Sequence, residues 1–152
     1  MTIKPDKIAR LEKLVKGWEE GKNNDPKIKD FLRLTDKQQS DLKRHLDKNW
    51  NPKYPHEVPR FISGKLKHGY TSRVCTNKFP ADQFIDWIKA AGNDKAIVGS
   101  TKKPKKVGLK VDYINPKTGK KYPIILTIST SSDGNFLVLS VIPVGILNPE
   151  DA

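Results

Sequence analysis

The last third of the chain alternates between apolar and polar residues, and this pattern restricts the possible folds more than any other feature. Three stretches alternate in this way: Val107–Asn115, Tyr122–Thr130 and Asn135–Ile146. Pro116-Lys117-Thr118-Gly119 and Ser131-Ser132-Asp133-Gly134 separate them, and both have the composition of tight turns. The pattern therefore predicts three antiparallel strands in a meander.

Successive side chains of a strand point to opposite faces, so the meander has one apolar and one more polar face. The predicted apolar face comprises Val107, Leu109, Val111, Tyr113, Ile124, Leu126, Ile128, Leu137, Leu139 and Val141. The predicted second face comprises Lys110, Asp112, Thr127, Ser129, Phe136, Val138 and Ser140. An apolar face of this size needs a second layer of structure to cover it.

A predicted helix supplies that layer. It begins at Asn77-Lys78-Phe79-Pro80, carries Phe84 and Ile88 at helical spacing, and ends at Gly92-Asn93. Lys95–Ser100 then has the composition of a further short strand. We therefore predict an α+β fold in which this helix packs on a twisted antiparallel β-sheet.

The N-terminal third predicts a small helical bundle. Apolar residues at helical spacing after Pro5, after Asp25-Pro26 and after Thr35-Asp36-Lys37-Gln38 indicate three short helices. Three prolines between residues 51 and 60 then favour an extended connection. The predicted organisation is a helical N-terminal region at 1–50, a proline-rich connection at 51–60 and an α+β domain at 61–152.

The charge of the chain favours a polyanionic partner. The formal net charge is +12, from 29 Lys and Arg against 17 Asp and Glu. Such a charge attracts nucleic acid, whereas a membrane surface is disfavoured because the basic residues fall on no strongly amphipathic helix. No apolar run is long enough to span a membrane, and the N-terminus lacks the apolar segment of a signal peptide. We therefore expect a soluble protein with no membrane partner.

Disulfide and metal chemistry are disfavoured as well. Cys75 is the single cysteine, so the chain cannot form an intramolecular disulfide. The three histidines, His45, His56 and His68, show no zinc-ligand spacing with it. We therefore expect neither a metal nor another cofactor.

The stretch Ser63–Arg73 concentrates residues suited to chemistry. It places His68 among cations and hydroxyl groups, and almost none of its residues is suited to filling a core. The unperturbed pKa of histidine permits proton exchange in both directions near neutrality, and neighbouring lysines attract a phosphate. Such a group suits phosphodiester chemistry, but the same residues are also compatible with an ordinary loop histidine beside solvated lysines.

Five short motifs add to this interpretation. They are Lys65-Leu66-Lys67-His68, Lys78-Phe79 at the start of the helix that ends in Gly92-Asn93, Ile97-Val98-Gly99-Ser100-Thr101, Tyr113-Ile114-Asn115-Pro116-Lys117-Thr118-Gly119 and Asp133-Gly134-Asn135-Phe136. In this order and with similar spacing, they resemble the nuclease domains of the colicin D family. These are tRNA anticodon nucleases of the barnase/EndoU/colicin/RelE type. The resemblance covers about half of the chain, and residues 1–60 lie outside it.

The resemblance implies a ribonuclease-toxin fold and a set of site residues. His68 corresponds to the family's catalytic histidine, and Lys65 and Lys67 correspond to its neighbouring lysines. The family also uses a serine and a tryptophan on its last strand, but the corresponding positions here fall near Val138 and Ser140. No tryptophan follows Trp87, and a shift of one register makes Ser140 the serine.

The implied activity is metal-independent cleavage of RNA, with tRNA as the first candidate substrate. The 2′-hydroxyl attacks the adjacent phosphate and leaves a 2′,3′-cyclic phosphate. The predicted catalytic residues are His68, Lys65, Lys67, Ser140, Ser129 and Thr127. The predicted substrate-binding residues are Tyr70, Thr71, Ser72, Arg73, Lys102, Lys103, Lys105, Lys106 and Lys110.

Two alternatives to a tRNA nuclease stay open. One is a RelE-type, ribosome-dependent mRNA interferase, which shares the chemistry. The other is a non-catalytic RNA- or DNA-binding module, in which the same lysines only contact phosphates. The toxin interpretation also implies an acidic immunity or antitoxin protein as a partner, and the cytoplasm of a target bacterial cell as the place of action.

Overall fold

The computed structural model describes residues 3–22, 28, 31–32, 34–46, 59–62, 64–100, 106–130 and 136–152. Within these ranges it describes only the backbone at 43, 46, 59–62, 64–65, 100, 129–130 and 136–139. The helices are α1 (Pro5–Glu19), α2 (Asp36–Leu46), α3 (Gly64–Tyr70), a π-helical segment (Thr71–Thr76), α4 (Ala81–Ala91) and a 3₁₀ turn (Pro149–Asp151). The strands are β1 (Pro59–Ile62), β2 (Ile97–Ser100), β3 (Lys106–Ile114), β4 (Lys121–Thr130) and β5 (Phe136–Pro143).

The strands form one five-stranded sheet in the order β1-β5-β4-β3-β2. Strands β2 to β5 pair antiparallel with one another, which confirms the α+β class and the predicted meander. Strand β1 was not predicted, and it pairs parallel with β5 at the edge of the sheet. Its first residue is Pro59, which lacks an N–H and is compatible with the start of an edge strand.

A register shift interrupts the pairing of β4 with β5. Thr127 pairs with Ser140, but the next residue, Ile128, pairs with Val138, so that Leu139 is the extra residue of a bulge. The predicted assignment of Leu137 and Leu139 to the apolar face assumed unbroken alternation, and that assumption is wrong. A local pattern of apolar residues does not reveal a bulge because the bulge depends on the partner strand.

Helix α4 covers the apolar face of the sheet, as predicted. Phe84, Trp87 and Ile88 are fully buried in a hydrophobic cluster that also contains Leu109 and Leu126. The capping glycine Gly92 follows the helix directly. Burial of such side chains stabilises the fold by about 1.5–3 kcal/mol each.

The N-terminal helices pack onto the same cluster. Helix α1 begins at its predicted proline and buries one face, including Leu11 and Trp18. Helix α2 begins with the predicted capping box, in which Thr35 Oγ1 accepts from Gln38 N at 3.1 Å and Gln38 Oε1 accepts from Thr35 N at 3.0 Å. Gln38 Nε2 also donates to Ala96 O at 2.9 Å, which connects α2 to the residue before β2.

The predicted second helix is wrong at the positions that the structure describes. The backbone is not helical at Ile28, Phe31, Leu32 and Leu34, although all four side chains are buried. A helix this short is marginal on its own, so tertiary packing decides its conformation. The spacing of these apolar residues correctly predicted that they are buried, but it incorrectly predicted that they form a helix.

The division into a helical region and an α+β domain stays a prediction. Residues 51–58 of the proline-rich connection lie outside the described residues. Among the helices that the structure describes, none is long and apolar enough to span a membrane.

Candidate active site

The stretch predicted to carry the chemistry is helical over nearly all of its described length. Gly64–Tyr70 forms α3 and continues directly into the π-helical segment, whereas Ser63 lies outside the described residues. Leu66 is fully buried and Tyr70 is 4% exposed, and they are one helical turn apart. Two core residues therefore anchor a stretch that was expected to contribute almost nothing to the core. His68 lies between them in sequence, on the opposite side of the helix, and is exposed.

The π-helical segment continues this helix with a wider turn. Asn77 N donates to Ser72 O at 3.1 Å, and Lys78 then adopts a left-handed φ of 65° as the chain leaves the helix. Thr71 Oγ1 donates to Lys67 O at 3.0 Å at the junction with α3. Such π-helical turns are rare and are frequent at functional sites.

A cleft of about 460 Å³ lies between this helix and the sheet. His68, Gly69, Ser72 and Arg73 line it from the helix, and Lys106, Ser140 and Val141 line it from β3 and β5. The structure thus brings together five of the predicted site residues from three separate parts of the chain.

Gly69 is responsible for the close approach of the helix to the sheet. A Cβ atom at this position would lie 3.2 Å from Ser140 Cβ, which is tighter than ordinary van der Waals contact. A glycine inside a helix costs about 0.5–1 kcal/mol relative to alanine, so a packing or functional reason is expected. Here the reason is packing, because the missing side chain lets β5 approach the residue next to His68. Gly69 was not predicted as a site residue, and no signal in the sequence identified it because helix α3 itself was not predicted.

Arg73 has an unusual environment in the cleft. Its Nε atom is buried and has no hydrogen-bond partner among the described residues. Leaving a buried donor unsatisfied costs about 1–3 kcal/mol, and more for a charged group. Arg73 nevertheless lines the cleft, and guanidinium N–H groups form short, charge-assisted hydrogen bonds with phosphate and carboxylate oxygens.

The electrostatics of the cleft agree with an anionic ligand. Arg73 and Lys106 contribute permanent positive charges, and no Asp or Glu is among the described residues that line it. Ser72 and Ser140 add hydroxyl groups that can donate to an anion. The arrangement therefore offers two cations, two hydroxyls and an exposed imidazole to one bound group.

Tyr70 lies in the core rather than in the cleft. Its ring packs against Trp18 at 5.2 Å and Phe84 at 5.9 Å between centroids. Burial raises the pKa of its hydroxyl, and the nearby Cys75 and Glu19 raise it further. This position does not suit the predicted contact with substrate, because the side chain packs behind the helix and not on its cleft face.

The remaining predicted residues fall in two groups. Thr127 is half-buried and pairs with Ser140 across β4 and β5, and Thr71 is exposed at the helix junction. Lys110 is exposed four residues after Lys106 on β3. None of the three lines the cleft. For several others the structure describes less. Lys67 lies on α3 and is half-buried, Lys65 and Ser129 are described only by their backbone, and Lys102, Lys103 and Lys105 lie outside the described residues.

The Asn115-Pro116-Lys117-Thr118-Gly119 motif has a structural role. Asn115 Oδ1 accepts from Lys117 N at 2.9 Å, and Asn115 Nδ2 donates to Ala152 O at 2.6 Å. Gly119 adopts the left-handed φ of 73° that this turn needs. The motif therefore shapes the β3–β4 turn and holds the segment after β5 against it.

Among the residues that the structure describes, no group of three or more His, Cys, Asp or Glu side chains could hold a metal ion. No protein-family model matches the chain, and no curated protein or solved structure matches it either. The geometry of the cleft is therefore the main basis for a functional conclusion.

Proposed function

We propose that the protein is a metal-independent endoribonuclease that cleaves RNA at the cleft between α3 and β5, with tRNA as its first candidate substrate. The observation that carries this proposal is one cleft lined by His68, two cations and two serine hydroxyls, with no Asp or Glu among its described lining residues. The resemblance of the motif order to colicin D-type nucleases supports the same chemistry.

RNA carries its own nucleophile, which limits what the protein has to supply. The 2′-hydroxyl loses its proton, the 2′-oxygen forms a bond to the adjacent phosphorus, and the bond from phosphorus to the 5′-oxygen breaks. The departing 5′-oxygen takes up a proton. The products are a 2′,3′-cyclic phosphate and a 5′-hydroxyl, so the protein must move protons, orient the phosphate and stabilise charge.

The cleft residues can divide these tasks between them. His68 is exposed, and its imidazole can accept the proton of the 2′-hydroxyl or donate one to the 5′-oxygen. Arg73 and Lys106 stabilise the negative charge that accumulates on the phosphate oxygens in the transition state. Ser72 and Ser140 donate hydrogen bonds to the same oxygens and hold the phosphate in position.

The test is incubation of the purified chain with bulk bacterial tRNA in EDTA, followed by mapping of the fragment ends. Cleavage that leaves 2′,3′-cyclic phosphates, and that is lost in His68→Ala, is the expected result. His45→Ala is the matched control because His45 lies on α2, where Nδ1 contacts Asp41 O at 2.7 Å. RNA that is bound but left intact by the wild-type protein would contradict the proposal and favour the binding module. Cleavage that requires added ribosomes would favour the mRNA interferase.

The toxin interpretation extends to a protein partner. A strongly basic ribonuclease is inhibited most directly by an acidic protein whose carboxylates occupy the positions of RNA phosphates. We propose such an immunity protein on the cleft, in a producer cell that delivers the enzyme to the cytoplasm of other bacteria. Expression of the wild-type chain alone should stop growth and degrade tRNA, and co-expression of the adjacent reading frame should restore both. Harmless expression of active protein by itself would contradict the toxin interpretation.

A further inference from the structure

Helix α1 carries a second basic surface, away from the residues that line the cleft. It is a groove of about 550 Å³ lined by Arg10, Lys13, Lys16 and Lys22 together with Gly17 and Glu20. We call it the α1 groove. It lies in the part of the chain that the motif resemblance does not cover.

The positive charge of the α1 groove is largely unneutralised. Among the described residues that line the groove, Glu20 is the acidic one, and it pairs with Lys22 at 3.3 Å. Arg10, Lys13 and Lys16 are exposed and form no ion pair with any residue that the structure describes. With a rise of about 1.5 Å per residue, these three cations extend over about 9 Å of the helix.

Gly17 lies in the floor of the groove. A Cβ atom there would meet nothing nearer than Lys22 Cδ, at an ordinary 3.8 Å, so intramolecular packing does not require a glycine. Gly17 lies in the last turn of α1, where a glycine still loses more backbone entropy on folding than an alanine would. A bare helix backbone beside a row of cations suits the close approach of another backbone that carries negative charge.

The α1 groove is structurally connected to the cleft. Trp18, one residue after Gly17, packs its ring against Tyr70 at 5.2 Å between centroids. Tyr70 is two residues from His68 on α3. The C-terminal end of α1 therefore packs against the buried side of the helix that carries the cleft residues, and this contact fixes the position of the α1 groove relative to the cleft.

We propose that the α1 groove binds the phosphate backbone of the same RNA at a distance from the cleaved bond. The statement that the bound RNA is also the substrate rests on the proposed function. The binding of RNA by the α1 groove does not depend on it. An acidic protein is a poorer occupant. The apolar residues of the groove, Leu14 and Ile28, are 6% and 1% exposed, and they offer little of the apolar contact that the centre of a protein interface needs.

The test compares two triple variants in the His68→Ala background, which keeps the RNA intact. One is Arg10→Gln with Lys13→Gln and Lys16→Gln. The control is Lys89→Gln with Lys95→Gln and Lys121→Gln, which removes the same charge from exposed residues on other elements. Binding of bulk bacterial tRNA is measured in EDTA by fluorescence anisotropy at several KCl concentrations. Circular dichroism and thermal unfolding of both variants verify that the fold is kept.

The α1 variant should lower the slope of log affinity against log salt by about 2 to 3, because each lost phosphate contact releases about 0.7–0.9 fewer counterions. Its affinity should fall about tenfold or more at 0.1 M KCl, and the control should lose much less. Equal slopes and affinities in the two variants would overturn the inference, and so would a wild-type protein that does not bind tRNA. If the α1 variant keeps its RNA affinity but loses its affinity for an acidic protein, the inference would be overturned, and the groove would be a binding site for that protein.

Cleavage kinetics separate this inference from the proposed function. With His68 intact, the α1 variant should raise KM more than it lowers kcat. If the wild-type protein does not cleave RNA but the α1 variant loses RNA affinity, the result would support RNA binding at the α1 groove and contradict the proposed ribonuclease activity. If the enzyme is active and the α1 variant has an unchanged KM, the result would support the proposed ribonuclease activity and contradict RNA binding at the α1 groove.

Discussion

Arg73 combines two properties that a folded protein seldom keeps without a reason. Its Nε is buried without a partner among the described residues, and it lies in a cleft whose described lining includes no acidic residue. A neutral side chain of similar size would avoid the cost of the unsatisfied donor. The unsatisfied donor therefore lowers the stability of the fold, and a role of the guanidinium in ligand binding would explain why an arginine is kept at this position.

Replacement of Arg73 should move stability and activity in opposite directions. Arg73→Gln removes the unsatisfied donor, so the free energy of unfolding should stay unchanged or rise by about 1 kcal/mol. Cleavage should fall about 10²-fold or more, because a positive charge is lost where the transition state becomes more negative. Urea unfolding and single-turnover cleavage of tRNA measure the two effects.

Arg44→Gln is the control for this prediction, because Arg44 is an exposed arginine that pairs with Asp41 at 2.9 Å on α2. It should change the stability by less than about 0.5 kcal/mol and leave cleavage as it was. A large loss of stability in Arg73→Gln with full activity would show that the arginine supports the fold rather than the substrate.

Tyr113 gives a prediction about alkaline pH. Burial raises the pKa of its hydroxyl to about 12, and the negative charge of Asp86 adds to this effect. In the unfolded chain the Tyr113 hydroxyl ionises near pH 10, whereas in the folded protein it is still neutral at that pH. The stability contributed by the neutral hydroxyl is therefore fully present below pH 10. It is lost as the pH rises from about 10 to about 12.

The measurement is the free energy of unfolding of the wild-type protein and Tyr113→Phe between pH 8 and pH 12. The wild-type stability should fall more steeply above pH 10 than that of the variant. The difference between the two at pH 8 gives the effect of removing the hydroxyl itself. Parallel curves up to pH 12 would show that Tyr113 ionises as readily in the folded protein as in the unfolded chain.

At the scale of single elements, the helix formed by α3 and the π-helical segment is the one that determines the site. Its buried side is anchored by Leu66 and Tyr70, and its other side presents His68 and Arg73 to β5. Gly69 allows these two elements to approach each other. The position of this helix relative to the strand therefore controls the width of the cleft.

Gly69→Ala should test that contact directly. An alanine in a helix is normally more stable than a glycine by about 1 kcal/mol, but here the added Cβ lies 3.2 Å from Ser140 Cβ. The variant should gain little or no stability, whereas the same change in a Ser140→Gly background should show the gain. Urea unfolding of the four proteins in this double-mutant cycle measures the coupling. An equal gain in both backgrounds would contradict the close contact.

The elements differ in how far their sequences determine them. Strands β3 and β4 and helix α4 were predictable because each has a clear period and one apolar face. Strand β1 was not, because a parallel pair joins segments distant in sequence and β1 has only four residues. Helix α3 was missed because two glycines and several cations surround its two buried residues.

The candidate site divides in the same way. His68 and Arg73 could be named from the sequence because their chemistry is local. Their proximity to Ser140 and Lys106 could not, because it depends on the packing of α3 and on the strand register next to the bulge at Leu139.

At the scale of the whole molecule, a chain with a net charge of +12 carries two basic surfaces. One is the cleft, where Arg73 and Lys106 contribute charge to a site that can carry out chemistry. The other is the α1 groove, where Arg10, Lys13 and Lys16 can only bind. If the proposed functions of both surfaces are correct, a polyanion would be positioned at two points, and recognition would be separated from cleavage.

The salt dependence of catalysis should reflect this separation. Raising KCl from 0.05 to 0.2 M should lower kcat/KM for tRNA by about 10²-fold or more, because several phosphate contacts are screened together. The value of kcat should change much less, because the bound phosphate in the cleft is shielded from the added salt. Steady-state cleavage at several salt concentrations measures both constants. An equal fall in kcat and kcat/KM would contradict the division between the two surfaces.

The two outer strands of the sheet have a consequence for the behaviour of the protein in concentrated solution. Strands β1 and β2 form the edges, and each is only four residues long. Strand β1 also begins with a proline, which offers no N–H to an approaching chain. An edge strand of four residues offers few consecutive backbone groups with which another chain could pair. The same architecture that forms the cleft thus also disfavours edge-to-edge aggregation.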